Sequence, residues 1–220
     1  TKFDKIFFVS SKDISNEKNM HSKISDRFYL CNIGIDINEV LKAPELKLKG
    51  KSLVFTGVMD YEPNEDAMVY FIQEVFDKVA EKCPEVTLYI VGKNPTDKLK
   101  KLVINRKNII VTGKVDSVFS YIKSSTIYIS PLRIGSGKKN KIIEAISCGT
   151  PLIASTVSME GFEDIEDKNL ILRADSSNEW VENICKLLSD EEKRIDIKKR
   201  MFNLLDESYS WKNIAKKLVE

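Results

Sequence analysis

One short stretch of the sequence concentrates residues that could bind an anion. It reads RIGSGKKNKIIEAISCGTPLIAS over positions 133–155, and Gly135 and Gly137 flank Ser136 between a strand pattern and a helix pattern. Glycines at such a turn let backbone N–H groups approach an anion, and a helix start adds unpaired donors and a favourable dipole. Four basic side chains lie in the same segment: Arg133, Lys138, Lys139 and Lys141. The spacing predicts a diphosphate ligand, although a tight turn before a solvated, lysine-rich helix start explains it equally well.

Two common phosphate-binding motifs do not describe this stretch. The GxxxxGK[ST] pattern of a P-loop is absent from it. The dinucleotide-binding GxGxxG pattern would need a third glycine and normally occupies the first strand–helix turn, whereas this stretch comes late in the chain. The anion site is therefore predicted from the chemistry of the turn and not from either motif.

Glu144 is the second candidate, because it lies inside the apolar run of the following helix. A carboxylate among isoleucines is expected to face a partner or a ligand rather than the core. The vicinal hydroxyls of a ribose suit a carboxylate as a bidentate acceptor. A surface glutamate beside Lys141, three residues earlier, is the alternative. The residues alone leave both interpretations open.

The elements that must position these residues alternate between strand and helix patterns. A long helix is predicted from Asn64, its expected N-cap, to about Cys83. Such alternation predicts βαβ units and an α/β fold with a Rossmann-like, doubly wound parallel sheet. Ligands of such sheets bind outside the carboxyl ends of the strands. The strand patterns cover 5–9, 27–31, 52–57, 86–92, 108–113, 126–132, 151–155 and 169–173.

Composition argues against several classes of function. The 35 basic and 33 acidic residues leave a net charge of +2, which gives no field that would favour nucleic acid or an anionic membrane. No apolar run approaches the roughly 20 residues that a membrane span needs. The four cysteines are scattered and His21 is the single histidine, so no metal site is expected. We expect a cytoplasmic protein with free thiols, no cofactor and no nucleic-acid partner.

The order of several segments resembles the nucleotide-sugar-binding C-terminal domain of GT-B-fold retaining glycosyltransferases of the glycosyl transferases group 1 type, which share an E-x7-E signature. Residues 49–220 are therefore expected to form that Rossmann-like domain. Residues 1–48 resemble the end of the N-terminal, acceptor-side domain and the hinge, so the chain is expected to be part of a longer protein. The matching segments are FTGVMDYEPNEDAMVYF (55–71), PEVTLYIVGKNP (84–95), IIVTGKVDSVFSYIKSSTIYISPLRIGSG (109–137), KIIEAISCGTPLIASTVSMEGF (141–162) and YSWKNIAKKL (209–218).

The resemblance implies a role for each matching residue. Glu144 matches the second glutamate of the signature, which holds the ribose hydroxyls. Arg133 and Lys141 match basic positions suited to the diphosphate and are the expected catalytic residues. The other expected nucleotide-sugar-binding positions are Gly57 and Asn64 in the first phosphate-side loop, Gly113, Lys114 and Val115 beside the base, and Gly135, Ser136 and Gly137 facing the diphosphate and the sugar.

Two departures from the family pattern affect the expected site. The first glutamate of the signature, which normally contacts the donor sugar, would fall at Ser136. The first loop reads GVMDYEPN (57–64) and lacks the Arg and Lys that other members use for the diphosphate. The identity of the donor sugar is therefore open, and the charge on the diphosphate is expected to be met by Arg133 and Lys141.

The function implied by the resemblance is transfer of a sugar from a nucleotide-diphosphate donor to a saccharide or lipid-linked acceptor, in polysaccharide or glycoconjugate biosynthesis. Retention of anomeric configuration and no metal requirement are expected, with weak or absent turnover by this chain alone. Any peripheral membrane association is expected to come through the N-terminal domain. The alternatives are a non-catalytic, nucleotide-binding glycosyltransferase-like subunit, motivated by Ser136, and a nucleotide-sugar epimerase, which would need catalytic acids and a histidine.

Overall fold

The computed structural model describes residues 3–162, 165, 170–211 and 214–216. All pairs of neighbouring strands in it are parallel. The described strands are β1 (Ile6–Phe8), β2 (Phe28–Leu30), β3 (Lys51–Thr56), β4 (Val86–Val91), β5 (Ile109–Gly113), β6 (Ile127–Ser130), β7 (Leu152–Ala154) and β8 (Ile171–Arg173). The described α-helices are α1 (Ser11–Met20), α2 (Ile37–Lys42), α3 (Glu62–Tyr70), α4 (Asp77–Lys82), α5 (Asp97–Val103), α6 (Val118–Ser124), α7 (Asn140–Ser147), α8 (Ser177–Ser189) and α9 (Glu191–Ser208).

The main sheet has six strands in the order β5-β4-β3-β6-β7-β8, which confirms the predicted Rossmann-like, doubly wound α/β fold. The chain winds outward from β3 through β4 to β5, then returns to β6 on the other side of β3. The order of strands thus reverses between β3 and β6, and their carboxyl ends diverge there to leave a crevice. The loops after β3 and β6 are among those in which the sequence analysis placed site residues.

The strands of the sheet centre are buried along nearly their whole length because helices cover both faces. All six residues of β4 are buried, as are five of the six in β3. A continuous helical segment from α3 through a π-helical stretch, Phe71–Phe76, to α4 packs one apolar face on this core. Its fully buried residues include Ala67, Met68, Phe71, Ile72 and Val75.

The predicted N-cap of this helix was wrong. Tyr61 is the cap, the helix begins at Glu62, and Pro63 occupies its first turn, where the missing N–H costs nothing. Asn64 therefore lies inside the helix, and its side chain does not cap the helix. The predicted helix end was close, because Cys83 is the C-cap of α4.

A separate two-stranded parallel sheet, β1 with β2, lies within residues 1–48. The assignment of this part to the end of an N-terminal domain and a hinge stays a prediction. Ile35 forms a parallel bridge to Ser210, so the segment before β3 contacts the region after α9. Predictions that concern Asn169, Leu218 and the middle of the 209–218 segment lie outside the described residues.

Within the described ranges, none of the helices is long and apolar enough to cross a membrane. The same part of the chain contains no group of three His, Cys, Asp or Glu side chains that could hold a metal ion.

Candidate functional site

A cavity of about 550 Å³ opens at the carboxyl ends of β3, β4 and β6, beside the point where the strand order reverses. The loops after these strands, the loop after β5 and the first turns of α7 form its walls. Five lysines and one carboxylate are among the described residues that line it: Lys93, Lys114, Lys138, Lys139, Lys141 and Glu144. This excess of positive charge in a concave, partly apolar site favours an anionic ligand.

Lys141 has the most unusual surroundings of these lysines. Its Nζ donates a hydrogen bond to Asn64 Oδ1 at 2.7 Å and lies 4.1 Å from the centre of the Phe55 ring. It forms no ion pair with the residues that the structure describes. Burial lowers the pKa of Lys141 to about 7, and the nearby charge of Glu144 offsets only part of that effect. An ammonium group in this position lacks a strong counter-charge, which a bound anion would supply.

Asn64 and Gly57 form the support beneath Lys141. The Asn64 side chain donates from Nδ2 to Val58 O at 2.9 Å while its Oδ1 accepts from Lys141. A Cβ added at Gly57 would lie 2.6 Å from Asn64 Nδ2, so a larger residue would displace the amide. The structure thus brings Gly57, Asn64 and Lys141 together at the cavity, as the resemblance implied, and it gives Asn64 a definite role in holding the lysine.

Glu144 lies one turn further along α7 and also lines the cavity. Its carboxylate makes no hydrogen bond or ion pair within the part of the chain that the structure describes. Burial raises the pKa of Glu144, and Lys141 opposes that rise. Because a partly buried carboxylate without donors is costly, the surroundings favour a ligand with hydroxyl groups over the alternative of an ordinary surface glutamate.

The glycine loop, residues 134–137, approaches the cavity from the end of β6. Gly135 has a φ of +117° and Gly137 a φ of +75°, values that only glycine adopts easily. Ile134, Gly135 and Ser136 line the cavity, and their backbone N–H groups have no acceptor among the described residues. The start of α7 follows, where Lys139 is the N-cap and makes no side-chain cap bond. Unused N–H groups and a helix start at one place match the predicted anion-binding turn.

Arg133 is placed differently from its predicted role. Its guanidinium forms a two-point hydrogen-bonded ion pair with the Asp66 carboxylate and lies 4.7 Å from the centre of the Tyr70 ring. It is not among the residues that line the cavity. The hydrogen bond to Asp66 raises the pKa of Arg133, so the group stays charged in this pair. A diphosphate contact by Arg133 stays a prediction that would require the arginine to leave Asp66.

The loop after β5 provides the far end of the cavity. Lys114 and Val115 line it, whereas Gly113, with a φ of +69°, precedes them at the end of the strand. Gly137, the last residue of the glycine loop, is likewise not among the residues that line the cavity. Its N–H donates to Glu160 Oε2 at 2.9 Å.

Sequence reasoning assigned no role to three residues that shape the site. Phe55 is fully buried beneath Lys141, Lys139 lines the cavity with its side chain 9% exposed, and Glu160 pairs with Lys139 at 3.4 Å. Lys139 was noted only as one of four basic residues in the segment. The contacts of Phe55 and Glu160 join positions far apart in the chain, and no local spacing reveals them.

Gly92 offers a test of how tightly the base of the cavity is packed. It has a φ of +144°, and an added Cβ would lie 1.8 Å from the carbonyl oxygen of Gly57. We expect Gly92→Ala to lower the free energy of unfolding by about 3 kcal/mol, the sum of backbone strain and steric overlap. The matched control is Gly113→Ala, where φ is +69° but nothing lies within 4 Å of the added carbon. That variant should lose about 1–2 kcal/mol, from strain alone. Urea denaturation followed by circular dichroism measures both, and equal losses would contradict the proposed overlap.

The family model described as glycosyl transferases group 1 matches residues 50–190. The chain belongs to this family. An uncharacterised glycosyltransferase of Methanocaldococcus jannaschii is 32% identical over 140 residues, which are 60% of this chain and 35% of that protein. The phosphatidyl-myo-inositol mannosyltransferase of Mycobacterium tuberculosis is 27% identical over 156 residues, which are 67% of this chain and 39% of that protein.

Solved structures of known proteins share the fold of this chain. Anabaena HepE, crystallised in complex with UDP, superposes with a TM-score of 0.79 at 12% identity, covering 98% of this chain and 62% of that one. The expected resemblance to GT-B glycosyltransferases is thus confirmed for family and fold. The chain spans less than two fifths of the length of the curated relatives named above.

Proposed function

We propose that this chain is the C-terminal, donor-binding domain of a retaining GT-B glycosyltransferase and that a nucleoside diphosphate sugar binds in the cavity between β3 and β6. One observation carries the proposal. Among the described residues, Lys141 has no ion-pair partner and Glu144 no hydrogen-bond donor, and the two lie one helical turn apart in the same cavity. A diphosphate and a ribose are the two halves of a ligand that would satisfy both groups.

The proposed binding mode follows from the chemistry of each wall. Lys141 and the free N–H groups of residues 134–136 bind the diphosphate, with Lys139 and the start of α7 adding positive potential. Glu144 accepts hydrogen bonds from the ribose hydroxyls, and the base lies against Lys114 and Val115. Charge grows on the diphosphate as it leaves the sugar, so donors fixed around it stabilise the transition state more than the bound substrate.

The acceptor is proposed to be a saccharide or a lipid-linked group held mainly by the rest of the protein. The mycobacterial relative is named for mannosyl transfer to a phosphatidyl-inositol lipid, and HepE was crystallised with UDP, which support this substrate class. A cytoplasmic location, and membrane association through the N-terminal domain, belong to the same proposal. No cofactor is required by this binding mode, because the nucleotide sugar is itself the substrate.

A non-catalytic nucleotide-binding subunit is the second candidate. Ser136 is exposed at the cavity wall, at the position where the family signature has its first glutamate. A serine there can still donate or accept a hydrogen bond, but it brings no charge to the donor sugar. An epimerase has less support, because His21 lies at the end of α1, 3.6 Å from Glu17, and does not line the cavity.

Titration calorimetry with UDP and GDP tests the binding mode through Glu144. We expect one of the two ribonucleotides to bind, and Glu144→Gln to weaken its binding about tenfold, because a charged acceptor is replaced by a neutral one. The corresponding 2′-deoxynucleotide should bind the native protein more weakly than the ribonucleotide does. Its affinity for the Glu144→Gln variant should be nearly the same as for the native protein. Glu81→Gln, an exposed change on α4, is the control. Absence of nucleotide binding at millimolar concentration, or equal effects on both nucleotides, would contradict the proposal.

A further inference from the structure

Glu160 accepts a hydrogen bond from Gly137, the last residue of the glycine loop. Glu160 is not among the residues that line the donor cavity. Its Oε2 accepts the Gly137 N–H at 2.9 Å and lies 3.4 Å from Lys139 Nζ. Its Oε1 accepts a hydrogen bond from Lys12 Nζ, on α1. One carboxylate therefore joins the loop, the cap of α7 and the N-terminal segment.

Within the described part of the chain, few other hydrogen bonds hold the backbone of the glycine loop. Of the four N–H groups of residues 134–137, only that of Gly137 has an acceptor within the described ranges. Glycines at 135 and 137 leave the backbone here with more accessible conformations than other residues would. The hydrogen bond to Glu160 is thus the contact that sets where the free N–H groups of Ile134, Gly135 and Ser136 lie.

We propose that Glu160 is a positioning residue that keeps the glycine loop in the conformation that receives the diphosphate. This inference rests on the proposed function, because it assigns the diphosphate to the free N–H groups of the loop. Glu160 acts through Gly137 and Lys139 and does not itself touch the nucleotide.

The location of Glu160 agrees with an indirect role. It lines a neighbouring cavity of about 330 Å³ that shares Gly135 with the donor cavity. A carboxylate directly beside the diphosphate would repel it, whereas from the neighbouring cavity Glu160 can hold the loop by a hydrogen bond. The hydrogen bond from Lys12 lowers the pKa of Glu160 most; burial opposes it, and the Gly137 N–H and the charge of Lys139 lower the pKa further. Glu160 therefore stays an acceptor at neutral pH.

Lys12 extends the same support to the N-terminal segment. Lys12 belongs to α1, whereas its partner Glu160 follows β7, a strand of the six-stranded sheet. A change in the placement of α1 would alter the loop through this ion pair. We expect Lys12 to contribute less than Glu160, because its side chain is 61% exposed and solvent screens the pair.

The test compares nucleoside diphosphates with monophosphates in Glu160→Ala and Glu160→Gln. Calorimetry with UDP, UMP, GDP and GMP gives the ratio of diphosphate to monophosphate affinity for the base that binds. We expect Glu160→Ala to reduce this ratio about tenfold, with the monophosphate affinity nearly unchanged. Glu160→Gln should recover most of it, because the amide oxygen can still accept the Gly137 N–H. Glu81→Ala, on the exposed face of α4, is the matched control and should leave the ratio unchanged.

The outcomes separate this inference from the proposed function. If the native protein binds no nucleotide, the donor site itself is refuted. If it prefers the diphosphate and Glu160→Ala keeps that preference, only the role of Glu160 is overturned. Should Glu160→Ala fail to fold, Lys12→Met replaces it, with an expected threefold reduction of the ratio, and an unchanged ratio there overturns the inference.

Discussion

Replacement of Lys141 by methionine is expected to weaken the binding of a nucleoside diphosphate about 100-fold, while the unliganded protein stays at least as stable as the native one at pH 7. The loss of affinity corresponds to about 2.7 kcal/mol, within the range measured for removing one partner of a desolvated charge pair. Methionine keeps most of the length and apolar volume of the lysine stem. The variant therefore removes the charge with little change in packing.

The stability part of this prediction comes from the cost of the buried charge. Because the pKa of Lys141 is depressed to about 7, its ammonium form destabilises the unliganded fold. Methionine removes that cost, although Asn64 Oδ1 loses its donor from Lys141. The two effects on the free energy of unfolding have opposite signs and comparable size. A residue that is costly to the free fold yet needed for binding is the pattern expected of a functional site.

Calorimetry and urea denaturation of the same preparation measure both quantities. Lys199→Met, an exposed substitution on α9, removes the same charge from the protein outside the cavity and serves as the control. The control should lose less than twofold in affinity. Binding by Lys141→Met within threefold of the native value would show that the diphosphate is not held by this lysine.

The fold was predictable because its signals are local and repeated. The strand patterns at 52–57, 86–92 and 126–132 are mostly apolar and carry no charged residue, which is what a parallel sheet covered on both faces requires. The crossovers between them are helices of ordinary length, and their right-handedness leaves few possible arrangements. The position of the cavity followed from the same reasoning, since only β3 and β6 border the reversal of strand order.

The contacts that define the site were less predictable, because they join distant positions. Arg133 looks like a diphosphate ligand in the sequence, but Asp66, on a helix 67 residues earlier, holds its guanidinium. Asn64 has the residue type of an N-cap, yet Pro63 inside the first turn shifts the helix start and leaves the amide to bind Lys141. Residue type alone indicated charge and hydrogen-bonding capacity. Side-chain contacts of α3 with α7 and with the loop after β6 decided which partner each group meets.

The surroundings of each basic residue at the cavity were also not predictable from the sequence. The sequence shows four basic residues in one short segment, and the resemblance implied that Arg133 and Lys141 meet the charge of the diphosphate. In the structure they differ, because Arg133 and Lys139 have carboxylate partners, whereas Lys141 is buried on Phe55 and, among the described residues, is hydrogen-bonded only to the amide of Asn64. Burial distinguishes them by changing the energy of the charge, and burial depends on the whole fold. Lys141 is therefore the cation whose protonation should respond most to a bound anion.

Affinity for the diphosphate is accordingly expected to fall about tenfold per pH unit between pH 8 and 9. Unliganded Lys141 loses its proton as the pH rises through about 7, and the bound diphosphate restores it, so binding above that pH takes up close to one proton. Calorimetry in two buffers of different ionisation enthalpy measures that uptake directly.

Lys141→Arg is the matched control for this proton uptake, since a guanidinium stays charged throughout this range. It should bind without proton uptake and without the steep pH dependence. The free energy of unfolding of the unliganded native protein should rise with pH, whereas the affinity for the diphosphate falls. The unfolded chain, with an ordinary lysine pKa, binds more protons than the folded one between pH 7 and about 10.4, so the lysine's destabilising contribution fades as the pH rises. Binding that is independent of pH from 7 to 9, with no proton uptake, would mean that Lys141 is already charged in the free protein or that it lies outside the diphosphate site.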